Sequence, residues 1–192
     1  MSGKKGRLIV FLWLIALLYW PASDLIAQQK TTFVTEKGSI RFVSEAPLEI
    51  IRASSASLKG AIDLEQRSFL FVLDNVSFKG FNSPLQQEHF HENYMETKTF
   101  PQTTFKGKII EQPLPVNGTT QTVRAKGILD LHGVKTERII KAVLTYEEGQ
   151  LSVKADFSVF LEDHAIRIPK VVSKKIAPEI QVTVDAVMRA NN

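Results

Sequence analysis

The last third of the chain alternates apolar and polar residues with a period of two. Residues 151–161 place leucine, valine, alanine and phenylalanine on one face and mostly polar residues on the other, with Phe160 as the exception. The alternation returns in Ile180, Val182, Val184, Ala186 and Met188. Successive side chains of a strand point to opposite faces, so this pattern predicts antiparallel strands with one packed and one solvated face. Such an apolar face must close on itself or pack against a second sheet.

Shorter segments with strand character precede this region. The candidates are residues 31–35, 40–42, 48–53, 57–62, 67–73, 103–110, 123–131 and 140–146. Turns are predicted at residues 36–38, at Glu148-Gly149 and at Asn117-Gly118, which is typical of a two-residue hairpin. Residues 67–73 are apolar on both faces, which predicts a strand covered on both sides. Eight or nine strands at this spacing favour a barrel or a sandwich.

One segment breaks the alternation and predicts a short helix within residues 81–95. Pro84 stands where a helix can begin, and Ser83 or Asn82 can cap it. Glutamates follow at a spacing of four residues. A second connection, over residues 168–177, is bounded by prolines and predicts one or two helical turns.

The N-terminus has the layout of a secretory signal peptide. Three cations within residues 1–7 precede an uninterrupted apolar run over residues 8–20, and the small residue Ala27 precedes a polar stretch. A membrane anchor is the alternative, but spanning a bilayer takes roughly 20 apolar residues. This run is shorter, and Asp24 closes it. We therefore expect cleavage after Ala27.

This division leaves a signal peptide over residues 1–27 and one exported domain over residues 28–192. The chain contains no cysteine, which excludes disulfides, thiol catalysis and lipid attachment through cysteine. The formal net charge is +4, and residues 1–27 contribute three cations and one carboxylate to it. The other cations are spread along the chain, so the composition does not indicate a nucleic-acid-binding protein.

The titratable side chains do not form a recognisable catalytic or metal-binding pattern. His89 and His91 could share a metal on a strand, but on the predicted helix their side chains diverge by roughly 200°. Asp130, His132 and Asp163 are the candidates for an uncommon hydrolase, yet no nucleophile elbow, P-loop or dinucleotide-binding glycine pattern accompanies them. We predict no catalytic residue, no metal site and no cofactor.

The apolar content is the more informative signal. The chain has twelve phenylalanines, and a closed barrel of about eight strands is either filled by its side chains or holds one small ligand. The predicted inward residues, which are the candidate cavity-lining set, are Phe42, Phe71, Phe105, Leu129, Phe157 and Val182. For each of them the sequence leaves a filled core and a ligand contact open.

Three segments together resemble the YceI-like family. Residues 127–135 (GILDLHGVK) resemble its G-x-L-t-i-H-G-v-t-k segment, and residues 38–42 (GSIRF) resemble its S-x-[VI]-x-F opening. His89-Phe90, followed by residues 93–95 and then by residues 100–105 (FPQTTF), resembles its H-L…d-F-[FL]…[YF]-P-x-[IA]-x-F stretch. The similarity runs from about residue 31 to residue 187.

The resemblance implies an all-β fold, a closed antiparallel eight-stranded lipocalin-like barrel with one short helix and a helical-turn connection. It also implies a soluble periplasmic protein that holds a long apolar lipid, of polyisoprenoid or isoprenoid quinone type, as a carrier or for sequestration, without catalytic residues. Transient membrane contact and a homodimer are further hypotheses about its partners. The alternative function is a non-enzymatic structural or interaction barrel with a core filled by its own side chains.

Overall fold

Eight antiparallel strands follow one another around a closed barrel in the computed structural model, which describes residues 32–191. They are β1 (Thr32–Glu45), β2 (Ile50–Asp63), β3 (Ser68–Asp74), β4 (Gln102–Ile109), β5 (Thr119–Leu131), β6 (Val134–Glu147), β7 (Gln150–Phe160) and β8 (Glu179–Ala190). Each strand pairs with its neighbour in the chain, and β8 pairs with β1 to close the ring. The prediction of a closed eight-stranded antiparallel barrel is confirmed.

A bulge in β1 lies where the sequence predicts a turn, so the prediction of a turn at residues 36–38 is wrong. Glu36 and Lys37 are both exposed, and the register with β2 and β8 shifts around them. Before the bulge the buried side chains are Phe33 and Thr35, whereas after it the even-numbered positions turn inward. A bulge adds an unpaired residue and lets the strand continue. The two exposed residues therefore reverse which face is buried without ending the strand.

The neighbouring strand β2 has an irregularity at the same place. The register shifts again between Ser55 and Leu58, which pair with Ile40 and Gly38 of β1. Strand β2 continues through this irregularity. The two short strands predicted at residues 48–53 and 57–62 are therefore one strand. Paired bulges bend two neighbouring strands together, which helps a sheet to close.

The predicted helix is confirmed and joins β3 to β4. Helix α1 (Pro84–His89) begins with Ser83 as its N-cap, whose hydroxyl accepts a hydrogen bond from the Gln86 backbone N–H. The helix continues as a π-helical turn over Phe90–Tyr94. The predicted connection over residues 168–177 contains one short 3₁₀ turn, at Lys170–Val172. A further 3₁₀ turn, at Leu161–His164, precedes it directly after β7. Among the described residues, no helix has the length and apolar character needed to cross a bilayer.

The tight hairpins lie at His132-Gly133, between β5 and β6, and at Glu148-Gly149, between β6 and β7. Both residues of each pair have positive φ angles, as a type I′ turn requires. The predicted two-residue hairpin at Asn117-Gly118 is wrong. These residues do form a turn, but β4 ends at Ile109 and the intervening segment is not a strand. Pro113 and Pro115 lie in it, and proline cannot donate to a ladder.

One end of the barrel is packed solid. Its core combines inward side chains of all eight strands with Leu64 of the β2–β3 turn: Phe33, Ile62, Leu64, Phe69, Ile109, Val123, Ala142, Leu144, Leu151, Val153, Ala186 and Met188. We call this the closed end. The prediction that β3 is covered on both sides is wrong, because Leu70 on its outer face is 43% exposed. The barrel has a single wall, so only one face of β3 meets the core.

Four connections lie together at the opposite, open end. They are the β1–β2 turn at residues 46–49, the helical β3–β4 connection at residues 75–101, the β5–β6 hairpin and the β7–β8 connection at residues 161–178. Asn75 is fully buried and fixes the β3–β4 connection. Its side-chain amide donates to the Phe100 carbonyl at 2.8 Å, and its Oδ1 accepts from the Thr103 hydroxyl at 2.8 Å.

Candidate ligand-binding cavity

A cavity of about 540 Å³ extends from the packed closed end toward the open end. Its wall is built by inward positions of all eight strands, since period-two alternation puts every second side chain inside. The barrel is therefore not filled by its own side chains. A cavity of this size falls within the range of roughly 300–1,000 Å³ that is typical of small-molecule sites.

All six residues predicted to face inward lie in this wall. They come from six different strands and are Phe42, Phe71, Phe105, Leu129, Phe157 and Val182. Phe157 and Val182 are direct cross-strand partners on β7 and β8, and Phe71 and Phe105 are partners on β3 and β4. The structure thus places them around one space. That they contact a ligand stays a prediction.

A cluster of four phenylalanines narrows the cavity on the side of helix α1. The Phe42 and Phe90 rings stack with centroids 5.5 Å apart, and the Phe78 ring packs edge-on against Phe42 at 5.2 Å. Phe81 contacts Phe90 at 5.0 Å. Sequence reasoning missed Phe81 and Phe90 as cavity residues, because it assigned them to a short helix and its flanking loop without placing them against the barrel. Their aromatic character was the available signal, but their contact with β1 is long-range.

Polar side chains line the cavity near its open end. Ser44, Asn75 and Thr103 stand at strand ends there, while Glu49, Ser83, Gln86, His89, Tyr94 and Lys175 belong to the connections. Burial raises the pKa of the Tyr94 hydroxyl. The deeper wall consists of aliphatic and phenylalanine side chains. The polar groups of the lining are consequently confined to the mouth, where they lie among apolar side chains such as Leu85 and Val172, and the deeper part is apolar throughout.

Hydrogen bonds hold the mouth together. Glu49 accepts from the Gln86 side-chain amide at 2.9 Å and from Asn82 at 3.3 Å, and Asn82 also donates to the Ile50 carbonyl at 3.0 Å. Helix α1 is thereby fixed to the β1–β2 turn. At the ends of the neighbouring strands β1 and β8, the Ala177 backbone N–H donates to the Ser44 hydroxyl at 2.9 Å. These hydrogen bonds connect the segments around the mouth to one another.

The wall is not hydrogen-bonded everywhere. Strands β6 and β7 pair at residues 143–147 with residues 150–154, next to the closed end. Nearer the open end, the Arg138 guanidinium donates to the Ser158 carbonyl at 2.6 Å and bridges the two strands. A side chain therefore takes the place of ladder hydrogen bonds in this part of the wall.

His132 has a structural environment in the β5–β6 hairpin. Its ring Nδ1 lies 3.0 Å from the His164 carbonyl oxygen, and its Nε2 lies 2.8 Å from a Glu96 carboxylate oxygen. The Phe100 ring packs on it with centroids 4.4 Å apart. Both ring nitrogens are occupied in joining the hairpin to the two helical connections. His164 is itself fully buried, and this burial lowers its pKa.

The other candidate catalytic and metal-binding residues each have different neighbours. Asp130 is 3.8 Å from the Lys135 ammonium, while Asp163 is exposed in the 3₁₀ turn after β7. On the helical segment, His89 faces the cavity mouth whereas His91 packs against Phe90. Within residues 32–191, no three histidine or carboxylate side chains are placed together to hold a metal ion.

Solved structures with this architecture are similar to the chain at low sequence identity. A polyisoprenoid binding domain from Saccharophagus degradans implicated in plant cell wall breakdown is 15% identical, with a TM-score of 0.71 over 84% of this chain and 99% of that chain. BcnA of Burkholderia cenocepacia is 14% identical, with a TM-score of 0.64 over 79% of this chain and 95% of that chain. The YceI protein of Campylobacter jejuni is 11% identical, with a TM-score of 0.55 over 71% and 81%.

At such identities the structural likeness concerns the fold. No curated protein matches the chain. The sequence itself matches the model of the YceI-like domain over residues 31–188, which spans the barrel almost from its first strand to its last. The chain therefore belongs to the YceI-like family.

Proposed function

We propose that this protein binds one long apolar lipid of the polyisoprenoid or isoprenoid quinone type and acts as its carrier or store. The observation that carries the proposal is the polarity gradient of the 540 Å³ cavity, which is apolar at depth and polar only toward its mouth. An apolar chain with one polar end matches this gradient. The Saccharophagus degradans protein with the same fold is described as a polyisoprenoid binding domain, which supports the same ligand class here.

The volume sets the length of chain that the cavity can enclose. An apolar protein cavity of about 150 Å³ binds benzene, which has six carbons. By proportion, 540 Å³ encloses on the order of twenty carbons. A longer isoprenoid would extend from the mouth. Binding needs no catalytic group, because transfer of each methylene from water to an apolar site contributes about 0.8 kcal/mol.

This reasoning predicts how affinity depends on chain length. In a series of straight-chain fatty acids, the dissociation constant should fall about fourfold per added methylene. The gain should stop at about twenty carbons, where further methylenes remain in water. Displacement of a fluorescent polyene fatty acid measures each affinity. An affinity that is flat below that length, or that keeps rising well beyond it, would contradict an enclosed cavity site.

The location of the protein is a separate part of the proposal. Residues 1–27, read above as a signal peptide, lie outside the described residues. We propose export to the periplasm with cleavage after Ala27, so that the mature chain begins at Gln28. N-terminal sequencing of the protein from a periplasmic extract checks this expectation. Protein that keeps Met1 and stays in carbonate-washed membranes would identify a membrane anchor instead.

A further inference from the structure

Exposed apolar side chains surround the mouth of the cavity. Val171 on the β7–β8 connection is 89% exposed, Leu48 on the β1–β2 turn 68%, and Leu85 on helix α1 58%. Apolar side chains this exposed are unfavourable in water, and their grouping at one opening distinguishes them from scattered surface residues. We call these three side chains the apolar rim.

The apolar rim is part of one connected structure. The Leu48 backbone N–H donates to the Lys174 carbonyl at 2.9 Å, which joins the β1–β2 turn to the β7–β8 connection. The contact between Glu49 and Gln86 joins the same turn to helix α1. Leu85 and Val172 also line the cavity. A surface that meets the rim therefore meets the opening of the cavity.

The β7–β8 connection adds positive charge beside the apolar rim. Arg167, Lys170, Lys174 and Lys175 are all exposed within nine residues, and none of them forms an ion pair with another residue of the range 32–191. We call them the cationic segment. Glu162 and Asp163 precede it and reduce, but do not cancel, its positive charge.

Most carboxylates of the open end outside this connection have partners of their own. Glu49 accepts hydrogen bonds from the helix, Glu92 is paired with Lys98 at 3.9 Å, and Glu96 bonds to His132. Asp74 accepts a hydrogen bond from Gln102, and Asp130 lies 3.8 Å from the Lys135 ammonium. Glu45, Glu88 and Glu179 have no such partner within residues 32–191. The unpaired cations of the open end are thus concentrated around Val171.

We propose that the apolar rim and the cationic segment dock the mouth of the barrel on an anionic bilayer surface. Val171 and Leu48 enter the interface, while the cationic segment binds the lipid headgroups. This arrangement is the one that interfacial membrane binding requires, apolar side chains flanked by lysine and arginine. Its purpose rests on the proposed function, since a docked mouth lets an apolar chain pass between membrane and cavity without crossing water.

Charge reversal tests the docking. The triple variant Arg167→Glu, Lys170→Glu and Lys174→Glu leaves out Lys175, which borders the cavity. Each cation near an anionic surface is worth about fivefold in partitioning, so the variant should bind vesicles of phosphatidylcholine and phosphatidylglycerol at least about a hundredfold more weakly. The matched control reverses Lys59, Lys106 and Lys141, three exposed lysines of the barrel wall, with the same change in net charge. The control should retain most of the binding.

A second pair of variants tests the apolar contribution. Replacing Leu48 and Val171 by serine should reduce vesicle binding, whereas serine at Val116 and Val187, which are 60% and 50% exposed away from the mouth, should not. Raising the ionic strength to about 1 M, where the Debye length is about 3 Å, should weaken wild-type binding. Equal loss in test and control variants would overturn docking through the mouth.

Vesicle co-sedimentation and ligand binding are measured separately, so that the two proposals fail independently. In vesicle-free solution, the charge-reversed triple variant should bind a fluorescent polyene fatty acid as the wild type does. Wild-type protein that binds this fatty acid but does not sediment with anionic vesicles overturns the docking alone. Protein that sediments with vesicles but binds no fatty acid keeps the docking and overturns the carrier function.

Discussion

Replacing Phe157 by aspartate should abolish the proposed lipid binding while leaving the barrel folded. Phe157 lines the cavity from β7 but is only half-buried, and it belongs to neither of the two packed hydrophobic clusters of the described residues. A carboxylate there faces the space that the ligand would fill. Without ligand, the cavity admits water to it, so the folded protein tolerates the charge. With ligand bound, the same charge meets hydrocarbon and has no partner.

The expected loss is at least about a hundredfold in affinity, because burying even a neutral polar group without a partner costs roughly 1–3 kcal/mol and a charge costs more. Two control variants place the same charge elsewhere in the barrel. Phe33→Asp places the same charge in the closed-end core, where Phe33 is 1% exposed and does not line the cavity, and should unfold the protein. Ser152→Asp places it on the outer face of β7 and should change neither fold nor affinity.

Circular dichroism and displacement of a fluorescent polyene fatty acid distinguish the outcomes for Phe157→Asp. An unfolded variant would mean that this part of the barrel is a filled core. A folded variant with undiminished affinity would mean that the bound chain does not reach β7. Either result would contradict the proposed position of the lipid.

The faces of the strands could be predicted from sequence because successive side chains of a strand alternate between its two faces. All six inward assignments on Phe42, Phe71, Phe105, Leu129, Phe157 and Val182 agree with the wall of the cavity. The pattern failed where the backbone departs from regular pleating. Glu36 and Lys37 are two successive exposed residues, and a hairpin turn and a bulge leave the same trace in the sequence.

Whether the barrel is filled or hollow could not be predicted. That outcome depends on how the volumes of side chains from opposite strands add up across the interior, which alternation does not encode. The placement of Phe81 and Phe90 was missed for a related reason, since a local pattern predicts the helix but not the strand on which it packs. The mouth also joins segments far apart in sequence, as the hydrogen bond from Ala177 to Ser44 shows.

Gly127→Ala should destabilise the barrel strongly, as should Gly107→Ala on the paired strand, where a Cβ atom would meet main-chain atoms even more closely. Gly127 of β5 is paired with Gly107 of β4. A Cβ atom at Gly127 would lie 2.4 Å from the Lys106 carbonyl oxygen, 2.8 Å from its carbon and 3.0 Å from the Phe69 ring. The first two neighbours are main-chain atoms of the paired strand, so the methyl group can be accommodated only if β4 and β5 separate.

Overpacking of this kind costs about 3 kcal/mol, the upper end of the usual range, because the backbone has to move. For a domain of this size the midpoint of thermal unfolding should fall by about 6–12 °C. Gly60→Ala is the matched control. A Cβ there would meet the Phe71 ring at 2.4 Å, but Phe71 borders the cavity and its side chain can turn into the open space. Its midpoint should therefore fall much less. Equal shifts in the two variants would show that crowding of the backbone between β4 and β5 is not what requires glycine at position 127.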